Sequence, residues 1–186
     1  VNTVKKNSDG SLTGYNTDYY GFSYTLKKSG INVCGKKVLV LGSGGASLPV
    51  KAVLSDQGAK EIVTISRNGE NNYSNLHLHS DADVIVNATP VGMYPNNGES
   101  PIDLSLFQKC TGVIDIIYNP RKTVLLLQAE KKGIANIRFF GEGFRSFISN
   151  DIFRSSFFGL ISLLELVILI YILYKEYKNL KFNNIK

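Results

Sequence analysis

The chain has 186 residues, 44% of them hydrophobic, which suits one domain with an extra element and a core of its own. Its net charge is +6, with Lys175, Lys178, Lys181 and Lys186 crowding the last dozen residues and the rest nearly balanced. The basic stripe interleaved with aromatics that nucleic-acid binding requires is missing. Cys34 and Cys110 lack C-x-x-C spacing and have no histidine nearby. Neither a metal site nor a disulfide framework is indicated, and reduced thiols of a cytoplasmic protein are expected. His77 and His79 fall in a polar loop and read as surface residues.

The chain opens Val1-Asn2-Thr3-Val4, with no initiator methionine and no signal-peptide pattern, as if in mid-strand. It reads as a fragment. Residues 1–6 and 11–15 are two extended runs joined by Asn7-Ser8-Asp9-Gly10, whose Asp-Gly signals a hairpin. A helix then runs through Lys28 to a stop at Gly30, with Thr17 or Asp18 as its cap. Asp18 has two readings: a plain N-cap, or a carboxylate that faces a cleft and binds substrate hydroxyls.

The organising stretch is Lys37-Val-Leu-Val-Leu-Gly-Ser-Gly-Gly-Ala-Ser47. A buried strand enters a glycine turn, and an amphipathic helix from Ala46 to Gln57 stops at Gly58. Strand, glycine turn and helix in that order give a G-x-G-x-x-G-like match its proper context. Gly42 permits the tight turn, and Gly44 lets the backbone approach a pyrophosphate. The small Gly45, Ala46 and Ser47 let the helix start close against the strand, where free N–H groups and the helix dipole favour an anion.

Glu61 to Ser66 is a second apolar strand, ending in Ser66-Arg67-Asn68. An acid there would bind a ribose 2′-hydroxyl and repel a 2′-phosphate, whereas arginine attracts the phosphate. The residues therefore favour NADP over NAD. Asp83 to Asn87 is a third buried strand, and Asn87 and Thr89 at its C-terminal end are cleft candidates. Gly112 to Tyr118 is the fourth strand. Thr123 to Lys132 forms a helix ending at Gly133. This alternation requires a parallel, doubly wound sheet.

Five segments in order resemble shikimate dehydrogenase: Val1-Asn2-Thr3-Val4, Gly14-Tyr-Asn-Thr-Asp18, Gly42-Ser-Gly-Gly-Ala-Ser47, Asn87-Ala-Thr-Pro-Val-Gly-Met93 and Asp115-Ile-Ile-Tyr-Asn-Pro120. The resemblance covers residues 1 to about 133. It implies NADPH-dependent, reversible reduction of 3-dehydroshikimate to shikimate, on the route to chorismate and the aromatic amino acids. It also implies an α/β, Rossmann-like NADP domain over residues 37–150, a remnant of an N-terminal substrate domain over 1–18, a linking helix over 19–36 and an apolar tail over 151–186.

By matching position, Asn2 resembles the family's substrate-binding asparagine and Asp18 its catalytic aspartate. Tyr118 resembles a tyrosine on the substrate side. Gly42, Ser43, Gly44, Gly45 and Ala46 resemble the diphosphate loop, with Ser66, Arg67 and Asn68 as the 2′-phosphate clamp. Thr89, Ile116 and Gly141 would touch the cofactor, Ile116 beside the nicotinamide. The family pairs its aspartate with a lysine that should lie well upstream of Asn2 and has no match here, so the chain itself is expected to turn over weakly or not at all. Gly141-Glu-Gly-Phe144 echoes a family segment, but the expected substrate-contacting glutamine falls near Ile148.

The run Phe157 to Tyr174 carries one charge, Glu165, and is long enough to span a membrane. It reads first as a helix packed on the domain, second as an out-of-frame product, and third as an anchor. Two rival functions stand beside the enzyme: a non-catalytic NADP-binding module, with or without that anchor, and a quinate/shikimate dehydrogenase using NAD. Nothing in the sequence specifies an oligomer.

Overall fold

A computed structural model describes residues 2–138, all of them within one compact unit, Val1–Ser146. Strands β1 (Thr3–Lys6) and β2 (Leu12–Tyr15) pair antiparallel, with Thr3 opposite Tyr15. Their turn is the expected one. Gly10 takes φ 86°, and its N–H donates to the Asn7 carbonyl at 3.1 Å. Helix α1 (Thr17–Ser29) follows and is stopped by Gly30 at φ 69°.

Five strands then make one parallel sheet: β3 (Lys37–Leu41), β4 (Glu61–Ile65), β5 (Val84–Asn87), β6 (Gly112–Asp115) and β7 (Ala135–Arg138). Their spatial order is β4-β3-β5-β6-β7. Chain direction across the sheet reverses between β3 and β5, and a ligand crevice opens outside the carboxyl ends at such a switch point. The central strands β3, β5 and β6 are buried on both faces, which is why they read as unbroken apolar runs.

Alternate residues serve opposite layers. Val38, Val40, Val84, Val86 and Ile114 meet Phe22 and Leu26 of α1 and Val50, Val53 and Leu54 of helix α2 (Ser47–Asp56). Leu39, Leu41, Ile85 and Val113 meet Leu125, Leu126 and Ala129 of helix α3 (Val124–Lys131) on the other face, with Leu104 and Phe107. Each fully buried Leu, Val or Phe side chain contributes roughly 1.5–3 kcal/mol.

The parallel sheet matches the sequence reading, and several details differ. Strand β6 ends at Asp115, short of Tyr118, because the Ile117 N–H donates to the Asp115 side chain and not to a neighbouring strand. Strand β7 adds a fifth strand to the four expected. On the second face, 3-10 turns at Leu76–His79 and Leu104–Leu106 fill the crossovers around β5. Asn16, rather than Thr17 or Asp18, caps α1, and Thr123 is the N-cap of α3, outside the helix. His79 is half-buried: its Nε2 lies 2.9 Å from Asn71 Oδ1, and its Nδ1 is shielded without a partner among the described residues. Among those residues no helix is long and apolar enough to cross a membrane. The run 157–174 lies outside them.

Candidate functional site

The glycine turn leaves β3 at Gly42, whose φ of 100° only glycine adopts without strain. A Cβ there would come within 2.9 Å of the Ala88 carbonyl oxygen and of Thr89 Cγ2. The turn is thus wedged against the exit of β5. It is also tied to the exit of β4, because the Gly42 N–H donates to the Ile65 carbonyl at 2.7 Å. Gly44 and Gly45 face open space, and residues 43–46 are exposed. Helix α2 begins at Ser47 with no side-chain cap. The expected free N–H groups are partly taken, since the Ser47 and Leu48 N–H groups donate to the Gly44 and Gly45 carbonyls at 2.9 and 3.2 Å, and what the helix start offers that opening is the positive end of its dipole.

Beyond β4, the Ser66 N–H donates to the Asn71 carbonyl at 3.1 Å. The loop is braced further by Asn72 Nδ2 to the Gly69 carbonyl at 3.1 Å and Asn75 Nδ2 to the Glu70 carbonyl at 2.8 Å. Arg67 and Asn68 stand exposed on it, and among the described residues Arg67 forms no ion pair. Tyr73 packs against the core below. Burial raises its phenol above the ordinary value, partly offset by the nearby Arg67 charge.

The exits of β5 and β6 are joined by buried polar groups. Asn87 and Asp115 are fully buried and Thr123 is 1% exposed. Asp115 Oδ1 accepts from Asn87 Nδ2 at 3.2 Å and from the Ile117 N–H at 3.0 Å, and Oδ2 accepts from the Thr123 hydroxyl at 2.6 Å. Asn87 Oδ1 accepts from the Thr89 N–H at 3.0 Å and the Thr89 hydroxyl at 2.7 Å. The Thr89 hydroxyl proton is therefore committed within the loop, and its oxygen also accepts from the Val91 N–H at 3.2 Å. Ile116 is half-buried, its N–H donating to the Asn87 carbonyl at 3.2 Å, and Tyr118 is 48% exposed.

Burial pushes the Asp115 carboxyl above its ordinary value, against the hydrogen bonds from Thr123, Ile117 and Asn87 that favour the charged form. Between 3.8 and the raised value, the native state keeps a proton that the unfolded chain has lost. This group's contribution to stability therefore falls as pH rises through that window, and the cost of the buried charge remains above it. Asp115→Asn should remove this slope. Thermal midpoints from acid to neutral pH will check it, and parallel curves for the two proteins would refute it.

At the other end, Asn2 Oδ1 accepts from the Thr17 N–H at 2.8 Å and the Thr17 hydroxyl at 3.2 Å. That bond brings Asn2 to the first turn of α1, where Asp18 stands exposed. Since Asn16 Oδ1 takes the Tyr19 N–H, capping does not occupy Asp18. Asn16→Ala should cost about 1 kcal/mol of stability, and Asp18→Ala only a few tenths, in denaturant unfolding. No described contact joins Asn2 or Asp18 to the glycine turn. Tyr19 instead donates to Asp56, at the end of α2 away from that turn. Gly141 and the segment around Ile148 lie outside the described residues.

A parallel sheet in this order, with a glycine turn at its switch point, defines a Rossmann-like α/β domain. No protein-family model matches the chain. A shikimate dehydrogenase (NADP(+)) of Caldicellulosiruptor bescii is 41% identical over 152 residues, covering 72% of this chain and 52% of that protein. A chorismate mutase/shikimate 5-dehydrogenase fusion protein from Clostridium acetobutylicum is similar in structure, with a TM-score of 0.68 and 37% identity over 75% of this chain and 54% of its own. Shikimate 5-dehydrogenase from Thermus thermophilus, solved in complex with NADP(H) and shikimate, gives 0.63 and 30% over 72% and 54%. The chain is a homologue of the shikimate dehydrogenases. It spans about half the length of the curated relatives it matches.

Proposed function

We propose that this chain binds NADP(H) and forms the cofactor half, with one edge of the substrate site, of an enzyme reducing 3-dehydroshikimate to shikimate. The observation that carries the reading is the order of the strand exits. Across β4-β3-β5-β6 they present, in a row, Arg67, the glycine turn, Thr89 and Ile116. Three strand spacings of ~4.8 Å make that row roughly 14 Å long. It suits a dinucleotide lying across the switch point, its 2′-phosphate at Arg67, Ser66 and Asn68. The pyrophosphate then rests on residues 42–46 and the nicotinamide lies over Thr89 and Ile116, with Gly141 as a further contact.

When bound, the cofactor supplies a hydride to the ketone carbon. The protein's own task is to bind, to orient, and to stabilise the alkoxide that develops. Asn2 and Asp18 would hold substrate hydroxyls, with Tyr118 on the same side, and Asp18 would act with a lysine that the family resemblance implies but residues 2–138 do not match. These 186 residues alone should bind cofactor with little turnover. An exposed free Cys34 and a buried free Cys110 agree with a cytoplasmic setting.

A fluorescence titration with NADPH, using NADH as control, tests the reading. Saturable binding that prefers NADPH supports the cradle and the Arg67 clamp. Absence of binding to either cofactor would overturn it.

A further inference from the structure

The Asp115 carboxylate lies at the meeting point of three segments that differ in role. Through Asn87 it reaches the exit of β5, where the same asparagine fixes the Thr89 N–H and hydroxyl. Through the Ile117 N–H it shapes the exit of β6, between Ile116 and Tyr118. Through Thr123 it holds the start of α3, since the Thr123 oxygen also accepts from the Leu126 N–H at 3.4 Å. The group itself is fully buried and so out of reach of any ligand. A charged side chain is seldom placed in a core merely to stabilise it, because an apolar replacement is often as good or better. What a two-oxygen acceptor can do, and a methyl group cannot, is set the directions of three donors at once.

We propose that Asp115 is a positioning residue for the nicotinamide end of the cofactor cleft, acting through Asn87, Ile117 and Thr123 on the loops that carry Thr89, Ile116 and Tyr118. The inference rests on the cofactor reading above and adds to it a division of labour. The exits of β5 and β6 depend on Asp115. The exit of β4, with Arg67, is braced separately by Asn71, Asn72 and Asn75.

That division sets the experiment. The full chain and its Asp115→Ala and Thr123→Val variants are titrated with NADPH and with adenosine 2′,5′-bisphosphate, which has the phosphorylated ribose but no nicotinamide. Loss of one aligned charged hydrogen bond should weaken NADPH binding about tenfold or more in both variants, with the fragment's affinity unchanged to within about twofold. Asp115→Asn, which keeps the shape and an acceptor, should recover part of the loss. Parallel weakening of both ligands would reduce Asp115 to a folding role, and unchanged NADPH binding would remove it from the cleft; either result overturns the proposal. If Asp115→Ala does not fold, Thr123→Val decides by the same comparison. Failure of the unaltered chain to bind either ligand is a separate outcome that overturns the cofactor reading itself, and this inference with it.

Discussion

Replacing Arg67 with alanine should cut the preference for NADPH over NADH by about 10- to 100-fold, almost all of it through weaker NADPH binding. A hydrogen bond to a charged group contributes about 1.5–3 kcal/mol, and each 1.4 kcal/mol is a factor of ten in affinity. Arg67 can give that much because it is exposed and, among the described residues, not engaged by a carboxylate. The loop beneath it is already held by Ser66, Asn72 and Asn75, so little ordering remains to be done on binding. NADH lacks the 2′-phosphate and should be nearly indifferent to the change. Paired titrations of both cofactors on both proteins provide the check. An equal loss for the two cofactors would show that Arg67 supports the fold or another part of the ligand.

Gly42→Ala should be the most damaging single methyl group in the site. The residue holds a φ of 100°, where any L side chain is strained by roughly 1–2 kcal/mol. Its new Cβ would also meet the Ala88 carbonyl oxygen and Thr89 Cγ2 at 2.9 Å, and the first of these is backbone that cannot rotate away. The turn must then move off β5, which strains the Gly42 N–H bond to Ile65 and shifts residues 43–46. A stability loss of about 2 kcal/mol or more and NADPH affinity lowered by at least about tenfold are expected. Gly45→Ala is the control. Its Cβ would meet nothing within 4 Å, so its effect on stability should be small.

The sheet was legible because β3, β5 and β6 are buried on both faces. Full burial writes itself as an unbroken apolar run, and the intervening glycines mark where the chain turns. β7 is not legible in the same way because its burial is only partial, and Ala135-Asn-Ile-Arg138 alternates too weakly to stand out from a connecting loop. The cap of α1 lies one or two residues before the expected position because Asn16, Thr17 and Asp18 are all good cap residues. The fold decides between them: Asn16 Oδ1 accepts from the Tyr19 N–H, while the Thr17 N–H and hydroxyl are taken by Asn2, fifteen residues upstream. His79 looked like a surface residue because its shielding comes from the folded loop around Asn71. Among the site residues, the glycine turn and Arg67 could be found from strand-turn-helix order alone. Asp115 could not be given a role that way, since its importance lies in partners at positions 87, 117 and 123 that only the fold assembles.

The β1–β2 hairpin has no strand of the main sheet on either edge, and Val4 and Leu12 are 51% and 69% exposed. Such a ribbon opens locally at a small fraction of the free energy needed to unmake β3 or β5. In deuterated water its amides should exchange while those of the central strands stay protected. Since Asn2 is held beside α1 by its bonds from Thr17 and by the pairing of this ribbon, a ligand held by both Asn2 and Asp18 would have to keep the ribbon closed. Slower exchange at β1 and β2 would then report substrate, whereas slower exchange at residues 42–48 would report cofactor, giving each half of the cleft its own signal.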